Sequence, residues 1–174
     1  MEYTVYHTQE KRKDILTEPV LGQGHSQWLG DGFYFWQDDE FAIWWGDNKK
    51  CGIFNKSRQF SIYKAELQFE KDEFIDSVFD EKDYYGLVRN VEKFAISLSK
   101  NLGRKPTLEE FNDFVHDKSL WQDIKVIRFQ DLPHNEQFIQ VKGFYYKKRI
   151  QFRITDLSII KRFIHFNDFD CLNS

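Results

Sequence analysis

Apolar residues along this chain recur with two different periods, and the order of those periods constrains the fold more than any single motif. Residues 59–69 (QFSIYKAELQF) alternate with period two, placing Tyr63, Ala65, Leu67 and Phe69 on the buried side of a half-buried strand. Over 84–102 the spacing changes. Leu87, Val91, Phe94, Leu98 and Leu102 lie three or four apart, one face of a helix, and Gly103 stands where its C-terminus wants left-handed backbone. Thr107 with Glu110 reads as a capping box opening a second helix, with Leu108, Phe111 and Val115 turned inward. Strands are also predicted at 2–7, 33–36, 124–129, 137–145 and 149–155, the last two as a hairpin. Short helices are predicted at 10–16 and 38–46, the second capped by Asp38 or Asp39 and stopped by Gly46. Strands therefore open the chain, helices occupy about 80–118, and strands close it. This order predicts one α+β domain over 1–174.

Composition narrows the function classes. A net charge of −3 gives no global field toward nucleic acid or anionic lipid, although Lys147-Lys148-Arg149 is a local basic cluster. Cys51 and Cys171 are too few and too distant in sequence to suggest a disulfide framework or a zinc site. No apolar run approaches the roughly 20 residues of a membrane span, and the first residues lack the apolar stretch of a secretory signal. A cytoplasmic protein without a membrane partner is expected. GQG and GDG do not extend to a GxGxxG fingerprint, and no G-x-S-x-G elbow or phosphate-loop lysine is present. His25 in the GQGHS loop reads as a solvated histidine, and His116, His134 and His165 show no metal-ligand spacing with one another or with the cysteines, so no metal is expected.

Three short elements could carry chemistry. His7 ends the first strand, where an imidazole can project into a cleft, although a partly buried structural histidine is the plainer reading. Residues 30–46 (GDGFYFWQDDEFAIWWG) place glycines before a strand on which Tyr34 faces away from Phe33 and Phe35; the helix that follows brings Trp44 and Trp45 back toward its start. An aromatic core accounts for Phe33, Phe35 and Trp44. In 149–156 (RIQFRITD), Ile150, Phe152 and Ile154 point to the core, so Gln151, Arg153 and Thr155 face the other way.

Taken in order, these elements resemble the His-Tyr-Glu class of ADP-ribosyltransferases, the poly-ADP-ribose-polymerase-like branch, and within it small bacterial domains. Val5-Tyr6-His7-Thr8 matches the first motif and Gly30-Asp31-Gly32-Phe33-Tyr34-Phe35 the second. Ala42 and Trp45 match the small residue and second aromatic of the next helix, and Gln151 opens the stretch similar to the late strand. The similarity covers roughly 3–46 and 149–160. It implies a split β-sheet core with a helical insertion in the middle of the chain. It also implies that NAD⁺ is bound as substrate by His7, Thr8, Gly32, Tyr34 and Trp45. His7 would bond the nicotinamide ribose, Tyr34 would stack on the nicotinamide, Trp45 would close the other side, and Gln151 would sit by the ribose. Catalysis would rest on Gln151, His7 and Tyr34.

Two positions depart from the family. Thr8 stands where glycine is usual, and Gln151 replaces the usual Glu, with Glu136 as a competing carboxylate. Glutamine cannot offset a full positive charge, which fits mono-ADP-ribosylation or hydrolysis better than polymer synthesis. The resemblance implies a toxin or phage-defence effector with a protein or nucleic-acid acceptor and an antitoxin or immunity partner. Two alternatives stay open: a non-catalytic NAD⁺ or ADP-ribose binding module, and an RNA 2′-phosphotransferase-like enzyme.

Overall fold

The computed structural model describes residues 1–22, 27, 29–52, 55, 57–131 and 148–172. Their architecture is α+β. β1 (Glu2–Glu10), β2 (Phe33–Trp36), α1 (Asp39–Trp45) and β3 (Gln59–Gln68) come first. β4 (Phe74–Asp76), α2 (Glu81–Leu102), α3 (Leu108–Asp117), β5 (Val126–Asp131), β6 (Arg149–Ile154) and β7 (Ile160–Asp170) follow. The strands form one sheet in the order β4-β5-β6-β2-β1-β3-β7. Among the described residues only the β4–β5 pair is parallel.

The sheet is almost divided. β1 pairs with β3 along its whole length, from Glu2↔Gln68 to Glu10↔Phe60, and β2 pairs with β6 at four positions. Between β1 and β2 the ladder holds a single pair, Tyr6↔Trp36. The halves also curl toward each other. Four inter-strand steps separate β4 from β1, about 19 Å in a flat sheet, yet the rings of Tyr3 and Phe74 are 5.8 Å apart. Val5, Ala65 and Leu67 from one half and Phe35, Phe74 and Phe152 from the other thus share one buried cluster. At its edge Arg128 of β5 is buried in an ion pair with Asp76 of β4, and Phe79 and Tyr3 lie over the guanidinium at 4.6 and 5.2 Å.

A second cluster fills the opposite face, where α1 lays Phe41 and Ala42 on Trp36, Phe60 and Ile62. This explains why β3 is buried on both faces at its start, although its alternation suggests one apolar face: Phe60 and Ile62 lie under α1 while Ala65 and Leu67 face the main core. α1 ends at Gly46 as expected, but the backbone there stays right-handed, with φ of −55°. The chain continues through a π-helical turn, Gly46–Lys50. Glycine is needed there for space, since a Cβ would lie 2.2 Å from the Phe60 ring.

Other sequence expectations meet the fold with mixed outcomes. The helix favoured over 10–16 does not form: Glu10 still pairs with Phe60, and Lys11 N–H donates to Gln59 O at 3.0 Å, so β-pairing overrides local propensity. α2 ends at Gly103 with φ of 69°, and the Thr107–Glu110 capping box is present. Leu108 is exposed rather than inward, while Phe111 and Val115 are half-buried. β5 begins two residues later than the pattern at 124–129 suggests and runs on to Asp131. β4 and β7 carry no clear period. The strand expected at 137–145, with Glu136, His25, His134 and Lys147, lies outside the described residues.

Cys51, just after the π-helical turn, and Cys171, just after β7, are joined as a disulfide with Cα atoms 5.6 Å apart. Their separation of 120 residues hides the pairing in the sequence. Among the described residues no helix is long and apolar enough to cross a membrane, and no group of three or more His, Cys, Asp or Glu could hold a metal ion.

Candidate functional site

A cavity of about 620 Å³ opens where β1 and β2 part. This is within the usual range for a small-molecule site. β1 contributes His7, Thr8 and Gln9, β2 contributes Tyr34, Phe35 and Trp36, and β5 and β6 contribute Phe129, Asp131 and Gln151. Val20, Leu21 and Gly22 close one side, while Trp45, Lys49 and Lys50 of the α1 end close another. His7, Tyr34, Gln151 and Trp45, spread over 144 positions of sequence (151 − 7), therefore border one space.

The single β1–β2 pair explains the position of His7. Beyond Tyr6↔Trp36 the backbone of β2 loses its partner, and the imidazole fills the gap: Nδ1 lies 3.0 Å from Tyr34 O. The other nitrogen, Nε2, accepts the Val20 N–H at 3.3 Å. A carbonyl can only accept and an amide N–H can only donate, so the ring is neutral with its proton on Nδ1. Burial pushes the pKa of His7 down to about 4, against the bond to Tyr34 O and with the nearby charges of Lys50 and Arg12.

The sign of the resulting pH dependence follows. The folded value lies below the unfolded 6.5, so the unfolded chain binds the proton more tightly. The contribution is complete above pH 6.5 and is lost as pH falls toward 4. Urea unfolding at pH 7 and pH 4 should show wild type losing about 3 kcal/mol more than His7→Asn. Equal losses would mean that the imidazole is not held neutral in the fold.

Tyr34 is fixed from its hydroxyl, which donates to Gly30 O at 2.6 Å. Gly30 has φ of 74°, a conformation glycine adopts without strain, and that turn delivers the carbonyl. Burial raises the phenol to about 12, so it stays neutral, and Phe129 meets the ring edge-on at 6.2 Å. Gly22 comes against the same ring: a Cβ there would be 3.1 Å from Tyr34 Cδ2. Gly22 and Gly32 exchange backbone hydrogen bonds, 2.8 Å from Gly22 N–H and 3.2 Å from Gly32 N–H.

Gly32 is thus a strap point and does not border the cavity. A side chain there would also meet Arg153, whose Cγ would lie 2.9 Å from a Cβ. Arg153 turns to a neighbouring cavity beside α3 and donates to Asp31 O at 2.9 and 3.2 Å, holding the Gly30–Gly32 turn. Thr8 is likewise anchored, its hydroxyl donating to Ala42 O at 2.8 Å; it ties β1 to α1 while lining the cavity.

Gln151 sits opposite Trp36 on one side and Phe129 on the other, so the three side chains share a sheet face. Its amide makes no hydrogen bond among the described residues. Asp131, two positions on from Phe129, places a carboxylate at the same wall, paired with Arg149 at 3.0 Å; Arg149 lies over the Trp44 ring at 4.4 Å. Sequence reasoning missed Asp131, Gly22 and Lys50. The Lys49-Lys50 pair, with three residues between it and the aromatic end of α1, was a readable signal, whereas Asp131 had none.

The cavity border thus combines the rings of Tyr34 and Trp45, a neutral imidazole, the Gln151 amide and cations from the π-helical turn. No protein-family model, curated protein or solved structure matches the chain.

Proposed function

We propose that this chain binds NAD⁺ in the cavity between β1 and β2 and transfers its ADP-ribose as a mono-ADP-ribosyltransferase. The observation that carries the reading is convergence: His7, Tyr34 and Gln151, singled out by resemblance in three distant segments, border one cavity with Trp45. The near-division of the sheet at Tyr6↔Trp36 agrees with the split core that the resemblance implies.

In this reading the nicotinamide lies on Tyr34 with Trp45 across from it. The C1′–N bond is polarised toward an oxocarbenium-like centre as neutral nicotinamide departs, and stacking, ribose alignment and fixed dipoles lower that barrier. His7 Nε2 is an acceptor, so a ribose hydroxyl can donate to it once the Val20 N–H gives way. The Gln151 amide oxygen supplies a partial negative charge near C1′. Asp131 is paired with Arg149, so we assign no full carboxylate to the reacting centre. That favours a single transfer or hydrolysis over chain elongation.

A second reading, a non-catalytic NAD⁺ or ADP-ribose binding module, is favoured by the same neutral Gln151. The RNA 2′-phosphotransferase-like alternative finds lysines rather than arginines at the cavity wall. The setting we propose is a toxin or phage-defence effector with a protein or nucleic-acid acceptor and an antitoxin or immunity partner. It would act in the cytoplasm of its target, although Cys51–Cys171 is the kind of bond that persists in oxidising compartments.

Incubating the protein with NAD⁺ and cell lysate should release nicotinamide, read by chromatography. Tyr34→Ala should weaken NAD⁺ roughly ten- to a hundredfold, the size of a lost ring-stacking contact. Binding without release would select the module reading; undiminished affinity in Tyr34→Ala would remove the stacking assignment.

A further inference from the structure

The cavity border is chemically mixed. Tyr34 and the Gln151 amide suit a planar, neutral group, while the α1 end brings Lys49 and Lys50 in on the π-helical turn that follows Trp45. Lys49 is exposed, whereas Lys50 is half-buried. No carboxylate lies within ion-pair distance of the Lys50 ammonium among the described residues, and it makes no hydrogen bond there. Burial holds its pKa below the usual lysine value; the more distant Glu10 opposes that shift and Arg12 adds to it. A cation drawn partly out of water without a counter-ion is costly unless a ligand completes it.

The backbone beneath Lys50 is built to stay in place. The buried Asn55 donates through one side-chain nitrogen to Lys50 O at 2.7 Å and to Gln59 O at 2.8 Å, tying the turn to the start of β3. The next residue, Cys51, is bonded to Cys171 at the end of β7. Gly46 opens the turn against the Phe60 ring with no room for a side chain. Three independent restraints thus fix where this lysine enters the cavity, and pre-positioning of that kind lowers the ordering cost of binding.

We propose that Lys50 is the anion subsite of this cavity and takes the diphosphate of a nucleotide ligand whose planar ring lies on Tyr34. Lys49 contributes only the outer field, because it is exposed and its charge is screened by solvent. The assignment rests on the NAD⁺ reading for the identity of the ring, but not for the anion. His7 is neutral and Asp131 is paired with Arg149, so among the described residues that border the cavity the cations are Lys49 and Lys50, and Lys50 is the more buried of the two.

Calorimetric titration of the oxidised protein with four probes tests this: nicotinamide, ADP-ribose, NAD⁺ and inorganic diphosphate. Lys50→Met should weaken ADP-ribose, NAD⁺ and diphosphate at least tenfold while leaving nicotinamide unchanged. Lys50→Arg should retain most of the affinity, and Lys49→Met should lose less than threefold. Raising salt should weaken ADP-ribose binding to wild type more steeply than to Lys50→Met.

Equal ADP-ribose affinity in wild type and Lys50→Met overturns the subsite even if NAD⁺ binds, leaving the NAD⁺ reading intact. Diphosphate bound by wild type and lost in Lys50→Met, with no binding of nicotinamide or NAD⁺, keeps the subsite and overturns the NAD⁺ reading. No binding of any probe overturns both. A Lys50→Met protein with an altered far-ultraviolet spectrum is replaced in this comparison by Lys50→Gln.

Discussion

Arg128→Ala is expected to lower the unfolding free energy by about 3–5 kcal/mol at neutral pH, the cost of breaking a buried ion pair from one side. Arg128 and Asp76 are 8% and 6% exposed, so neither charge has a good alternative in water. Arg128 Nε donates to Asp76 Oδ1 at 2.9 Å, and NH2 contacts the other carboxylate oxygen. Asp76 also accepts the Val78 and Phe79 N–H groups at 3.1 and 3.0 Å. Burial alone would raise its pKa, yet the guanidinium and these amides hold the carboxyl below the usual range.

Removing Arg128 leaves that carboxylate buried with two amide donors and no counter-charge. It also removes a cation lying over Phe79, Tyr3, Phe74 and Phe152 at 4.6 to 5.7 Å. The pH dependence supplies a signature. In wild type Asp76 has a depressed pKa, so its contribution is present above the unfolded value near 3.9 and is lost as pH falls through the folded one. In Arg128→Ala burial is opposed only by the two amides, and protonation relieves the penalty. The stability gap between the two proteins should therefore narrow as pH is lowered. Urea denaturation at pH 7 and pH 4 measures it, and a gap below about 1 kcal/mol at pH 7 would mean the pair is solvated in solution.

Reducing Cys51–Cys171 is expected to cost about 4–5 kcal/mol, because the bond closes a loop of more than a hundred residues in the unfolded chain. The bond joins the π-helical turn to the end of β7, so its loss should also loosen the cavity wall that carries Trp45 and Lys50. Urea midpoints with and without reductant should differ for wild type and coincide for Cys51→Ala/Cys171→Ala. Wild type insensitive to reductant would show that the cysteines are unpaired in solution. Hydrogen exchange around 46–51 should rise on reduction while β5 and β6 stay protected.

The elements most legible in the sequence were those whose signals are local. The capping box at Thr107 and Glu110, the left-handed stop at Gly103 and the alternation of 59–69 each depend on residues a few positions apart. Gly46 marks the end of α1 as the local pattern suggests, but what demands glycine there is Phe60 of another strand. The helix favoured over 10–16 failed because Glu10 and Lys11 gain partners in β3. Of the candidate site, His7, Tyr34, Trp45 and Gln151 could be named from motif order. Thr8 and Gly32 were named too, but their hydrogen bonds go to Ala42 and Gly22. Lys50, Asp131 and Gly22 belong to the cavity through chain-distant packing.

Sequence alone determined the α+β order of elements, because side-chain period and capping act over one or two turns of chain. Tertiary structure decided that β1 and β2 meet at only one residue pair. It also decided that His7 is neutral between Tyr34 O and Val20 N–H, and that Cys51 finds Cys171. Each of these depends on how the sheet curls around a shared core. That curvature is a property of all seven strands together and leaves no trace in any one of them.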